Sequence, residues 1–328
     1  MHLFVFGVVC NERRHEWRAR LRALYGPRAP EVLPIFVISD EHERNAKWQQ
    51  RELTAGAKTS DDVLFVPAAN KAAMIEKHHA YREAHCAHKT MGWWQMASRW
   101  PSVWYGKTDD DAVFDLPPLL DLLSRLPSGP VYGGIVHYSS VNTTNLEGGC
   151  FSSGAYGAVR KRYVGREAKV CSQLAGPFPY VEGPLEILSS DVQRFLAPRA
   201  LVDPRQRCHY EDFYIGMYLA EHPELSLVNL DGLLGHKDVW QSGTGRWLGT
   251  DGFLAHWVRT DEAFRRVSDG FARARQLRHP DAMAMRCGRW ADSFEALYQF
   301  PCCHNWTICE PLTPHLRTRQ RLVVGGAT

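Results

Sequence analysis

The stretch VWYGKTDDDAVFDLPPLL, residues 103–120, sets the reading of the chain. A short β-favouring run ends in Lys107-Thr108 and three adjacent aspartates, and an apolar, proline-marked segment follows. Adjacent carboxylates repel one another and resist burial, so their gathering at the mouth of a strand asks for a cation. In extended backbone alternate side chains share a face. Asp109 and Asp111 are therefore expected to point together and Asp110 elsewhere. A hard divalent ion such as Mg²⁺ or Mn²⁺ favours an oxygen-rich site of this kind and neutralises it. A solvated acidic turn is the plainer alternative.

Outward from the aspartates, the first half of the chain alternates two periodicities. HLFVFGVV, VLPIFVIS, DVLFVP and SVWYGK read as strands. ERRHEWRARLRALYG reads as a helix with Trp17, Leu21 and Leu24 at helical spacing and Gly26 as its stop, and residues 41–55 and 71–99 also read as helical. This βαβα rhythm predicts an α/β fold, a doubly wound and mostly parallel sheet, in which ligands sit beyond the carboxyl ends of the strands. The triple aspartate occupies such an end. Further on, LPPLLDLLSRL reads as a helix and PVYGGIVHYSS as strand and turn. ILSSDVQRFLA reads as strand then helix, capped by Ser190 or Asp191. HYEDFYIGMYLAEH reads as a helix opened by two acids, followed by the strand LSLVNL, the short strand FLAHWV and the helix TDEAFRRVSDGFARAR. The Gly-, Ser- and Asn-rich stretch 139–178 is expected to hold loops and a hairpin, a candidate lid. No linker is evident before about residue 276, so residues 1–275 are read as one catalytic domain and 276–328 as a C-terminal extension packed on it.

The composition is that of an ordinary globular chain: 328 residues, 45% hydrophobic, 23% charged. A net charge of +3 is too balanced to point to a nucleic-acid partner, and no nucleic-acid-binding signature occurs. LFVFGVVC, residues 3–10, is far shorter than the roughly 20 residues a spanning helix needs, and reads as a buried first strand. A membrane association would thus need an anchor outside this sequence. The nine cysteines contain no C-x-x-C pair. Cysteines together with N-x-T triplets at Asn142 and Asn305 point to an oxidising lumen.

Two further groups have residue types suited to chemistry. Glu211-Asp212 opens an apolar helix, where acids are favoured by the dipole alone and a general base aimed at a hydroxyl is the functional reading. His256, with His236 as competitor, is a candidate further metal ligand. The set His78, His85 and His88 imitates a zinc site but lacks a second ligand cluster, and reads better as a polar helix face. PCCHNWTIC, residues 301–309, reads as a disulfide or packing region.

In order along the chain, NERRHEWRARLRALYG, HKTMGWW, YGKTDDDAVFDLPPLLDLL, GPFPYVEGPLEILSSDVQRFL and YEDFYIGMYL resemble motifs of glycosyltransferase family 31, the β1,3-galactosyl- and N-acetylglucosaminyltransferases. The likeness spans roughly residues 1–260. It implies a GT-A fold, a UDP-sugar donor, a glycan or glycoprotein acceptor, a Mn²⁺- or Mg²⁺-assisted inverting transfer, and a Golgi or secretory-pathway lumen. On matching positions it implies Asp109, Asp111 and His256 as metal ligands and Asp212 as catalytic base with Glu211 beside it. Arg13, Lys107, Asp109 and Asp110 fall on the donor side. One departure is Glu182-Gly183-Pro184-Leu185-Glu186, which stands where the family has a Gly-rich run bordering the acceptor. Two other readings are open on the residues. Asp109-x-Asp111-x-Val113 fits the D-x-D-x-V signature of haloacid-dehalogenase-type phosphatases, with Asp109 as nucleophile. A non-catalytic glycosyltransferase-like binding module is the other.

Overall fold

The computed structural model describes residues 1–9, 15–28, 30–40, 50, 62–67, 78–142, 150–151, 174–200, 211–230, 240–241, 246–247, 253–277, 285–289 and 307–311. The predicted helix at 41–55 and most of the candidate lid lie outside these residues, as do Arg13, His236, Cys302, Cys303 and Asn305.

The strands in chain order are β1 (His2–Val9), β2 (Val32–Ser39), β3 (Val63–Val66), β4 (Ser102–Asp109), β5 (Val113–Phe114), β6 (Val131–Gly134), β7 (Val136–Asn142) and β8 (Cys150–Phe151). They continue with β9 (Leu174–Val181), β10 (Glu186–Ser189), β11 (Ser226–Asn229), β12 (Trp240–Gln241), β13 (Arg246–Trp247), β14 (Leu254–Ala255), β15 (Met285–Arg289) and β16 (Thr307–Pro311). The helices are α1 (His15–Tyr25), α2 (His78–Met96), α3 (Leu116–Arg125), α4 (Ser190–Leu196), α5 (Glu211–Leu219) and α6 (Asp261–Leu277).

Nine strands form one sheet in the order β15-β16-β11-β6-β10-β4-β1-β2-β3. The predicted α/β architecture with a mostly parallel sheet is the observed one. β4, β1, β2 and β3 run parallel, as do β6, β11 and β16. β10 is the central exception, antiparallel to β4 on one side and β6 on the other. Both sheet faces are covered, which is why β1 reads as an almost unbroken apolar run. Alternate residues divide between two cores. Phe4, Phe6 and Val8 meet Trp17, Leu21 and Leu119 from α1 and α3. Val5, Ile35 and Tyr105 meet Trp93, Trp94, Val192 and Ile215 from α2, α4 and α5. The strands β15 and β16, from the last fifty residues, lengthen the same sheet beyond β11, with Cys287 in register opposite Cys309.

One expectation is corrected. α4 begins at Ser190, so Ser189 is its N-cap, and neither Ser190 nor Asp191 fills that place. The Ser189 hydroxyl is engaged across the sheet, accepting from the backbone N–H of Val131 at 3.0 Å. A strand–helix junction with no loop leaves the cap residue in the ladder.

Gly7 marks a close approach. A Cβ there would stand 2.5 Å from the ring of Trp93, whose Nε1–H donates to the Gly106 carbonyl at 2.8 Å. Gly7→Ala is expected to lower the unfolding free energy by about 1–3 kcal/mol, the usual cost of overpacking a core. A urea midpoint unchanged from wild type would refute the packing argument.

Candidate active site

β4 lies between β1 and β10, and its carboxyl end carries the acidic run into a turn. The strand stops at Asp109, and the Ala112 N–H donates to the Asp109 carbonyl at 3.1 Å. Asp109 and Asp111 do approach each other, but across this turn and not by the alternation of an extended strand. At Asp110 the backbone carbonyl accepts from Trp17 Nε1 of α1, which ties the turn to the first helix.

The segment holding His256 is laid along the same turn. β14 pairs with β5, and the Asp115 N–H donates to the Phe253 carbonyl at 2.8 Å. His256 Nε2 thereby comes to 3.3 Å from Asp111 Oδ1 and 3.8 Å from Asp109 Oδ2. Donor atoms of Asp109, Asp111 and His256 all lie within 4.8 Å of one another, and among the described residues this is the group found to hold three such donors together. Burial by itself would raise the Asp111 carboxyl, but His256 and Arg259 outweigh it and hold it at about 2. Two carboxylates and an imidazole, partly open to solvent, are a donor set that fits a divalent cation with positions left for substrate oxygens.

Beside the triad sits a second charged cluster. Lys107 is completely buried, and its ammonium is 3.0 Å from Asp109 Oδ1, 3.1 Å from Glu211 Oε1, 3.8 Å from Asp212 Oδ1 and 3.9 Å from Glu186 Oε1. It also donates to the Gly183 carbonyl at 3.2 Å. Lys107 thus joins four carboxylates through one ammonium. Burial opposes its charge, yet Asp109, Glu211, Asp212 and Glu186 together hold its pKa well above the ordinary lysine value. Glu186, its register partner on β10, is fully enclosed and pushed up well above the usual carboxylate range, first by burial and then by neighbouring acids against the pull of Lys107.

Asp212 stands in the first turn of α5, where the sequence placed it. Its Oδ2 accepts from the Gly183 N–H at 2.8 Å. Burial raises its carboxyl, Lys107 lowers it, and Glu211 and Asp109 raise it again, leaving it at about 7. Gly183 has no room for a side chain, since a Cβ would be 2.7 Å from Lys107 Nζ and 3.0 Å from Asp212 Oδ1. The Glu182–Glu186 departure is therefore built into the site: Thr108 Oγ1 donates to the Pro184 carbonyl at 2.7 Å.

Sequence reasoning missed two participants. Arg259 Nε donates to Asp111 Oδ2 at 2.6 Å, and its only signal was a cation three residues beyond the histidine. Glu186 was noted as a loop carboxylate, while its place in a buried strand is what puts it against Lys107. An acid in an otherwise apolar strand was the available clue.

No family model matches the chain, and no curated protein sequence matches it. Solved structures to which the chain is similar include two sugar transferases. One is the apo form of mouse xyloside xylosyltransferase 1, at 13% identity and a TM-score of 0.37, covering 78% of this chain and 97% of that one. Another is the galactosyltransferase LgtC in complex with donor and acceptor sugar analogs, at 9% identity and a TM-score of 0.35, covering 84% of this chain and 95% of that one.

Proposed function

We propose that the chain is an inverting, metal-dependent GT-A-type glycosyltransferase. It moves a hexose, Gal or GlcNAc, from a UDP-sugar to a hydroxyl of a glycan or glycoprotein, forming a β1,3 linkage in the lumen of the secretory pathway. Residues 1–275 form the catalytic domain. The observation that carries this reading is the fully buried ammonium of Lys107, which lies beside both an Asp109 carboxylate oxygen and the Glu211-Asp212 pair. That contact supports reading Asp109 and Asp212 as parts of one site, the first holding a cation and the second acting as base. The approach of His256 to both Asp109 and Asp111 favours a metal site over a phosphatase nucleophile.

Asp109, Asp111 and His256 would hold a divalent cation, whose positive charge would offset the negative charge of the leaving diphosphate. Asp212 accepts the proton of the acceptor hydroxyl on a carboxylate oxygen. The acceptor's hydroxyl oxygen, relieved of that proton, bonds to the anomeric carbon from the face opposite UDP as the bond from that carbon to UDP breaks, and UDP leaves with the electron pair. The Gly183 N–H holds one oxygen of Asp212 and so aims the other. Lys107 and Glu211 fix the position of the base relative to Asp109. Arg13 and Asp110 belong to the donor side of this proposal.

The test is a UDP-release assay with Mn²⁺, pairing UDP-galactose and UDP-N-acetylglucosamine with a panel of glycan acceptors. Release is expected to need both metal and acceptor, to stop on chelation, to return with added Mn²⁺ and to be absent from Asp111→Ala. Failure of both donors to bind would overturn the reading, as would metal-independent hydrolysis of a simple phosphate ester.

A further inference from the structure

Three residues past His256, Arg259 takes the other oxygen of the same carboxylate. His256 Nε2 faces Asp111 Oδ1 and Arg259 Nε holds Oδ2. In extended backbone, residues three apart fall on opposite faces. Of the two residues between them, Trp257 makes this possible. Trp257 has φ +62°, and it is the only non-glycine residue with positive φ among the described residues. A bulky side chain in the left-handed region is strained and persists only where the surroundings enforce it. Here they do. β14 pairs with β5 just before it, and the Val258 N–H donates to the Asp111 carbonyl at 2.8 Å just after it. The kink turns the chain so that His256 and Arg259 both reach Asp111.

Trp257 also serves Arg259 directly. The guanidinium carbon lies 3.9 Å from the centroid of the Trp257 ring, a cation–π contact that fixes the plane of the group. Asp111 is therefore gripped through its backbone carbonyl, by Val258, and through Oδ2, by Arg259. The oxygen left facing His256 is Oδ1.

We propose that Arg259 is a positioning residue. It caps Asp111 Oδ2, so that Oδ1 alone is presented to a divalent cation, and Trp257 supplies both the backbone turn and the ring that aim the guanidinium. This rests on the metal-site reading above. Outer groups that orient a ligating carboxylate commonly govern metal affinity by about 10–100-fold.

The experiment is a titration of the full chain with Mn²⁺ alone, following free Mn²⁺ by electron paramagnetic resonance, with folding checked by circular dichroism. Arg259→Gln is expected to weaken Mn²⁺ affinity by about 10–100-fold at an unchanged thermal midpoint. Arg259→Lys should recover part of the loss, since it keeps the hydrogen bond but not the stacked plane. Trp257→Leu, which retains the guanidinium, should give a smaller loss in the same direction, and it decides the matter if Arg259→Gln does not fold. Wild-type or tighter Mn²⁺ binding by Arg259→Gln overturns the proposal, making the guanidinium a bystander or a competitor. Unchanged Mn²⁺ affinity with weakened UDP binding overturns it too, because the group then serves the donor. If wild type and Asp111→Ala bind Mn²⁺ equally poorly, the metal reading fails and takes this inference with it. If those two differ while Arg259→Gln matches wild type, only the inference fails.

Discussion

Asp212→Asn lowers sugar transfer by about 10²–10⁴-fold, the range associated with loss of a positioned general base, while Mn²⁺ and UDP still bind. The amide preserves the shape of the side chain and can still accept from the Gly183 N–H, but it cannot take the acceptor's proton. The pH dependence gives a second readout. With its carboxyl at about 7, Asp212 is protonated in acid, so kcat/KM should rise with unit slope up to about pH 7 and level above it. Asp212→Asn should lose that limb. Stability has the opposite sign. The folded chain keeps the Asp212 proton up to about pH 7, whereas the unfolded carboxyl releases its own near 3.8. Between those values the folded state binds more protons, so this group's contribution to stability falls as pH rises. Wild type should therefore lose more stability than Asp212→Asn across that window in paired urea titrations. Transfer by the variant within tenfold of wild type would remove Asp212 from the base position.

Lys107→Met costs about 3–5 kcal/mol of unfolding free energy, as expected when one partner of a buried charge cluster is removed. Methionine matches the length and fills the space. What it lacks is the charge that offsets Asp109, Glu211, Asp212 and Glu186 around a fully enclosed ammonium position. Because the folded pKa of Lys107 is raised, its stabilisation is fully present below the ordinary lysine value and is lost only as pH climbs through the folded value. The loss in Lys107→Met should be smaller in mild acid, where Asp212 and Glu186 carry protons. Adding Glu186→Gln should return part of the stability, since Glu186 is the most deeply enclosed of the four. Chemical denaturation showing a loss below about 1 kcal/mol would mean that the carboxylates neutralise themselves without Lys107.

Much of this molecule is set by local pattern. The apolar runs of β1 and β2, the helical spacing of Trp17 and Leu21, and the acids that open α5 are each legible because a strand or helix imposes its period on a few consecutive residues. The same is true of three carboxylates at the end of β4, which announce a cation before any partner is known. By contrast, the contacts that define the site join residues far apart in the chain. Lys107 meets Glu211 across 104 positions, and Asp111 meets Arg259 across 148. Local periodicity does not encode which strand lies beside which. β10 reads as a strand from its sequence, but its antiparallel placement between β4 and β6 is what sets Glu186 against Lys107. Likewise FLAHWV reads as a short strand, and only its docking on β5 forces Trp257 into the left-handed region that lets His256 and Arg259 share one carboxylate. The sequence by itself determined the α/β class, the elements that alternate from β1 to β4, and the acidic residues. The tertiary structure decided how Asp111, Glu186 and Asp212 are shifted, because burial and neighbouring charges act on a carboxyl only once distant strands and helices have closed around it.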